Sequence, residues 1–467
     1  MIPDGGDRTG NSKDQSHFFG VIMASSASNA TTIASPQSPG PVDESVAKKV
    51  ALAALVGTAL EWYDFFLFTT AAALVFNAQY FVSQDPFVSA MSSFATLAVG
   101  FVARPIGGFI FGALGDKVGR KKILMVTIVG IGVVTGLIGL LPNYMTIGVA
   151  APIILVALRI LQGLAVGGEW SGAVIIAVEN APVAKRARYA ALPQIGSPIG
   201  TILSSGGFFG MLYLVGQTNF DAWGWRVPFI AAIPLLAISL WIRSKLSESP
   251  EFEALMESGE TEHAPIRGVL TKSWRQILVG MCSALLGIGG FYLITSFVVF
   301  YGTKVLKMPY ETLLLGSLLA AVFEIFVLIW AGRMGEKYGA SKVILWGGVA
   351  SALVAVPVFL AIDTAIPALV VTAMIIGVCT LSVPYAVSGT ALTALFATKV
   401  RYTGVAITSN SAGVISGFVP LIATALVAAN GNSFWPGAII LLVVSVMTAL
   451  SGIFLPALSI EEEGMKH

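Results

Sequence analysis

Charge is scarce in this chain. Of 467 residues only 11% are Asp, Glu, Lys or Arg, against about 25% in an ordinary soluble domain. So few ionised groups cannot cover a water-facing surface, which excludes a soluble globular protein of this length. The net charge of +2 is too small to gather nucleic acid. Histidine is scarcer still: His17, His263 and His467 make up the full set, and all three lie outside the apolar runs. Desaturases, cytochromes and metalloproteases need His or carboxylate clusters inside such runs, so these classes are excluded and no metal site is expected. A phosphate-cradling GxxxxGK[ST] loop is missing, which argues against ATP-driven transport. No ring of residues suited to a selectivity filter marks a channel. The two cysteines, Cys282 and Cys379, sit in apolar runs and read as small core residues.

What the chain has in abundance is apolar length, 56% of its residues. Runs of about 20 apolar residues, enough to cross a bilayer, recur near 50–77, 87–114, 123–141, 147–178, 189–215, 225–246, 274–303, 311–332, 342–361, 365–390, 401–429 and 433–457. An all-α membrane protein with twelve transmembrane helices follows. The long polar interruption, Ser247 to Lys272, divides them six and six. The expected domains are a disordered tail over 1–45, a six-helix bundle over 46–246, a central loop over 247–272, a second bundle over 273–457 and a short tail over 458–467. The first tail is rich in Ser, Asn, Gly and Pro, too polar to offset the cost of ordering. It shows no signal-peptide pattern, and Met23 opens a plausible shorter protein. Lys and Arg gather in alternate loops, at Lys117 to Lys122, Lys185 to Arg188, Arg243 to Lys272, Arg333 to Lys342 and Lys399 to Arg401. The positive-inside rule then places these loops, and both termini, in the cytoplasm.

The halves repeat one another. Gly112-Ala-Leu-Gly-Asp116-Lys117-Val-Gly119-Arg120 follows helix 2, and Gly332-Arg-Met-Gly-Glu336-Lys337-Tyr-Gly339 follows helix 8. Arg188-Tyr189 opens helix 5 as Arg401-Tyr402 opens helix 11. Parallel six-helix repeats place a substrate site between the halves near the midplane, so the two bundles are pseudo-symmetric and a transporter is expected.

Ionisable groups inside hydrocarbon are costly and need an explanation. Glu61 and Asp64 lie a dozen or so residues into helix 1 and, three apart, share a face. Arg159 lies at similar depth in helix 4, with Gln162 on its face. Arg104 and Glu169 sit toward the cytoplasmic side, and Glu324 is the acidic residue well inside a second-half span. Asp64 or Glu61, with Glu169 and Glu324 as further candidates, suits the binding and release of a coupled proton. Arg159 suits a substrate carboxylate, which guanidinium holds in bidentate fashion. Gln162, Tyr63, Tyr292, Tyr385 and Asn410 are the remaining candidates for the cavity wall. The plainer reading is that these groups pair with one another and brace the bundle.

The Gly112 to Lys122 segment resembles the signature of the major facilitator superfamily. Glu61-Trp62-Tyr63-Asp64-Phe65, Arg104-Pro105-Ile-Gly107-Gly108, Arg159-Ile-Leu-Gln162-Gly163, Gly167-Gly168-Glu169-Trp170, Trp225-Arg226-Val-Pro228-Phe229 and Glu248-Ser-Pro250-Glu251-Phe252 resemble its metabolite:proton symporter branch. The first half is most similar to bacterial shikimate permeases. The second half departs from that pattern, with Ala340-Ser341 in place of basic residues, Ala394 in place of an acid, and Ser409-Asn410-Ser411 in helix 11. The resemblance implies the major facilitator fold, alternating access, and proton symport of a small organic anion into the cell, with shikimate or a related hydroxylated cyclic carboxylate foremost. Uptake of a zwitterion such as betaine or proline, or of a di- or tricarboxylate, is the alternative. A membrane sensor without transport is the reading from another class. Gly112, Asp116, Gly119 and Arg120 read as gating residues: Asp116 accepts from a helix N-terminus across the interface, Arg120 pairs with Glu179 as a latch, and Arg104 stands near the gate. No cofactor beyond the proton is expected. The partners are the substrate, the proton and the lipid bilayer of a bacterial plasma membrane, and the protein is expected to be a monomer.

Overall fold

The computed structural model describes residues 44–83, 85–118, 120–167, 174–175, 177–178, 181–244, 266–397 and 400–460. The described segments that run through the bundle are all helical, as hydrocarbon demands: with no water to bond to, each N–H and C=O must find a partner inside its own segment. Helix α1 starts as Glu44–Ala71 and continues through a π-turn, Ala72–Phe76, to Asn77–Gln79. It is followed by α2 Pro86–Val118, α3 Arg120–Leu140, α4 Ala150–Val166, α5 Arg186–Gly224 and α6 Arg226–Ser244. The second set is α7 Trp274–Val305, α8 Tyr310–Tyr338, α9 Ala340–Asp363, α10 Pro367–Ala394, α11 Arg401–Ala429 and α12 Trp435–Leu458. Nine of these contain a stretch long and apolar enough to cross a membrane, and α3, α4 and α6 contribute shorter apolar segments. Most of the first tail, the second tail beyond Ile460, and Glu169, Glu179 and Gly119 lie outside the described residues, as do the side chains of Asp116 and Arg120 and the surroundings of Gly112. At the end of the expected central loop, Ile266–Lys272 forms a short helix that leads into α7.

Local chemistry sets the ends. Pro367 occupies the first turn of α10, where a missing N–H costs nothing. Gly339 joins α8 to α9 at φ 88°, a conformation that any Cβ would strain. The outward faces carry Phe109, Phe326, Leu353 and Ile453 in exposed positions, the reverse of a soluble protein and the expected surface for lipid.

The pairing of helices repeats after six. Helix α2 packs on α4 as α8 packs on α10; α3 packs on α6 as α9 packs on α12; α1 packs on α5 as α7 packs on α11. The halves meet through α5 against α8 and, symmetrically, α11 against α2. Helices α2 and α4 approach closely because they cross on glycine. A Cβ on Gly163 would run into the Gly100 carbonyl, and one on Gly167 into the Arg104 carbonyl. Small residues bring membrane helices into backbone contact in this way. The equivalent helices α1 and α7 share another trait. Both are interrupted by π-turns, Ala72–Phe76 in α1, and Leu286–Gly290, Leu293–Phe297 and Tyr301–Val305 in α7. Such turns are frequent at functional sites.

Candidate functional site

Four polar side chains from three helices of the first half converge inside the bundle. Asp64 on α1 is 2% exposed, Arg159 on α4 is 3% exposed, and Gln162 on α4 and Thr135 on α3 are buried with them. Gln162 Nε2 donates to both Asp64 oxygens, at 2.9 and 2.7 Å, and approaches Thr135 Oγ1 at 2.9 Å. The Thr135 hydroxyl also donates to Asp64. At the other end of the same amide, Gln162 Oε1 accepts from Arg159 Nη1. The buried acid and the buried cation are thus linked through one neutral amide.

Aromatic rings supply much of the cations' remaining environment. The Arg159 guanidinium lies 4.1 Å from the Phe68 ring centre and 5.2 Å from that of Phe65. The Arg104 guanidinium lies 5.3 Å from the Phe65 ring centre and 5.0 Å from that of Phe101. Desolvated contacts of this kind are worth about 2 kcal/mol each. Arg159 Nε is buried without a partner, and it fits only because residue 100 is glycine: a Cβ there would stand 2.5 Å from it.

Arg104 pairs with Glu61 at 3.9 Å. These two, with Trp62, Tyr385, Ser409 and Asn410, line a cavity of about 40 Å³ between the halves. It has room for a few waters and is far too small for a metabolite, so the walls have closed on each other. Contacts between the halves lie on both sides of it. On the side where α1 begins, Gln194 Nε2 on α5 donates to Ser388 Oγ at 3.1 Å and to the Tyr385 carbonyl at 3.3 Å on α10. On the opposite side, Phe300 of α7 packs against Phe87 and Phe94 of α2, with ring centres 5.8 and 6.0 Å apart.

The structure therefore brings Asp64, Arg159 and Gln162 into one cluster and places Glu61, Arg104, Tyr385 and Asn410 at the cavity beside it. Tyr292 is buried in an aromatic layer with Phe65 and Phe101. Tyr63 points elsewhere, because its hydroxyl donates to the Pro228 carbonyl at 2.7 Å within the first half. Glu324 is fully buried on α8, and among the described residues no donor reaches its carboxyl oxygens. Ser382 on α10 faces it, but that hydroxyl donates to the Val378 carbonyl at 2.7 Å. Tyr385 lies within electrostatic reach of both Glu324 and Glu61. Reading the sequence alone missed Thr135 and Gly100. A hydroxyl or a glycine in an apolar run is ordinary, and only the fold shows what either one touches.

The chain matches a family model described as MFS/sugar transport protein over residues 181–440 and one described as Sugar (and other) transporter over residues 50–272. It is 35% identical to the inner membrane metabolite transport protein YhjE of Escherichia coli, covering 93% of this chain and 98% of that one. The chain belongs to the major facilitator superfamily. This transporter is also 34% identical to the shikimate transporter of Escherichia coli, over 90% of its own length and 98% of the relative's. Identity to that organism's proline/betaine transporter is 32%, over 88% and 84% of the two chains. A crystal structure of a D-xylose–proton symporter superposes with a TM-score of 0.67 at 19% identity, covering 89% of this transporter and 99% of the other chain. That likeness shows the shared twelve-helix fold. The protein is a multi-pass membrane transporter, not an enzyme.

Proposed function

We propose that this transporter is a proton-coupled importer of a small organic anion, set in a bacterial plasma membrane with both chain ends cytoplasmic. The observation that carries the reading is the single amide joining Asp64 to Arg159. While Asp64 is ionised it holds Gln162, and Gln162 holds Arg159 away from the cavity. A proton on Asp64 removes one of the two acceptors and weakens that hold. Arg159 is then free to take a substrate carboxylate in a bidentate pair. Release of the substrate restores the internal bond and favours release of the proton. Because both events use one amide, proton and anion bind best together. Glu61, Glu169 and Glu324 are further proton sites in this scheme, and Asn410 and Tyr385 complete the wall from the second half.

Shikimate or a related hydroxylated cyclic carboxylate is the leading substrate, supported by the relative named for it. A zwitterion is the second reading, favoured by the proline/betaine relative and by an acid and a cation close enough to hold both ends of one molecule. The test is uptake into proteoliposomes under an imposed pH gradient. Asp64→Asn is expected to abolish uphill accumulation of labelled shikimate while keeping downhill exchange. Arg159→Lys is expected to raise KM. Accumulation that survives Asp64→Asn would move the proton to another acid, and a wild type that carries betaine but no carboxylate would overturn the anion reading.

A further inference from the structure

A second chamber lies further along α1 than the Arg104–Glu61 pair, beyond the aromatic layer of Phe65. Its floor is Phe66 of α1 and Phe291 of α7, whose rings are 5.1 Å apart. Eight residues separate Glu61 from Thr69 along α1, which is about 12 Å of helix. Helices from both halves build the walls, and among the described residues their polar side chains are all hydroxyls, Thr69, Thr201, Ser205, Thr295, Ser296 and Ser317 among them, with no ionisable one. At about 10 Å³ it is as closely shut as the first cavity.

The hydroxyls are not equivalent. Thr69 donates to the Phe65 carbonyl at 3.0 Å, Thr201 to that of Ser197 at 3.2 Å, Thr295 to that of Phe291 at 2.8 Å and Ser317 to that of Leu313 at 3.1 Å. Each has spent its hydrogen on its own helix and keeps oxygen lone pairs to offer. Ser296 is 1% exposed, and its hydroxyl has no partner among the described residues. It sits on the π-turn Leu293–Phe297. Four hydroxyls are left as acceptors and Ser296 can both donate and accept, so the chamber best matches a group that does both. A carboxylate only accepts, and a quaternary ammonium has no N–H to give. Alcohol groups do both.

We propose that this chamber is a second binding station, in series with the charged cavity, that takes the uncharged hydroxylated part of the substrate. It rests on the reading of the substrate as a hydroxylated acid and narrows it. One end of the molecule is an anion for Arg159, and the other is a set of alcohols for the hydroxyl chamber. The quaternary ammonium of a betaine has no hydrogen to give those acceptors, and a second carboxylate can use the Ser296 hydroxyl but not the four acceptors around it.

The test compares two acids of one ring skeleton in reconstituted protein: labelled shikimate, and cyclohex-1-ene-1-carboxylate, which lacks the hydroxyls, as competitor. Ser296→Ala and Ser205→Ala each delete a single oxygen, so the amount of reconstituted protein should match wild type. One lost neutral hydrogen bond corresponds to about a three- to tenfold rise in the KM for shikimate, while half-inhibition by the bare acid stays unchanged. A KM for shikimate that does not move in either variant, or affinities for both acids that fall alike, overturns the station while leaving the anion reading intact. A wild type that carries betaine or proline and neither acid overturns both.

Discussion

Gln162 holds the central position in the site, though it carries no charge. Its amide spends one end on Asp64 and the other on Arg159, and hydrogen bonds to charged partners contribute about 1.5–3 kcal/mol each. Gln162→Leu keeps the volume and removes both bonds. The expected outcome is loss of coupling more than loss of movement. Accumulation against a gradient should fall at least tenfold, and downhill counterflow should fall less than threefold. The dependence of uptake on external pH should flatten. An equal fall in both rates, with the pH profile unchanged, would make Gln162 a brace. At this scale the sequence was informative where chemistry is rare. Asp64 and Arg159 stand out because ionised groups in hydrocarbon are expensive. Thr135 does not, because an intramembrane hydroxyl is usually satisfied by its own helix, and nothing in the order of residues says that this one reaches α1. Tyr63 erred the other way: it is polar and well placed along α1, yet committed to Pro228.

Among the helices, α2 and α4 decide where the site's two arginines stand. They cross at Gly100 and Gly163 with backbone against side-chain-free backbone. A methyl group at residue 163 has nowhere to go, since the obstacle is a carbonyl and not the end of a flexible side chain. Gly163→Ala is expected to destabilise the folded protein by about 1–3 kcal/mol and to push Arg104 and Arg159 apart. Thermal melting in detergent would read the first effect, and a raised KM for the anion the second. Full stability in Gly163→Ala would show that the crossing tolerates a wider spacing. Most helix positions were legible from run length, although the run expected over 147–178 gives α4 as Ala150–Val166. The stretch 274–303 became Trp274–Val305, and 401–429 became Arg401–Ala429. The π-turns were not, because one extra residue in a turn leaves no mark on composition. The short helix Ile266–Lys272 was hidden in a loop whose polarity masked it.

Across the whole molecule, the repeat of helix pairing was foreshadowed by two echoing loop motifs, since each half is one supersecondary unit copied in tandem. The docking of one half on the other was not legible. Contacts such as Gln194 with Ser388, or Phe300 with Phe94, depend on which faces meet, and both faces read as ordinary apolar helix. The halves resemble each other in path and differ in electrostatics, because Glu61, Asp64, Arg104 and Arg159 all ride on α1, α2 and α4. Those four groups sum to zero when both acids are ionised. Add one proton and one monovalent anion and the sum is zero again. On the proposed exchange of one proton with one monoanion, these four groups carry no net charge in either the empty or the loaded form, although a 100 mV potential does about 2.3 kcal/mol of work on every unpaired elementary charge. Uptake driven by a fixed pH gradient should change less than twofold when valinomycin and potassium impose an inside-negative potential. A strong acceleration would mean that a second proton travels with the cargo, and Glu324 would be the first residue to substitute. In the proposed symport, the balance of charge around one small cavity thus sets which half of the proton-motive force the cell draws on to fill itself.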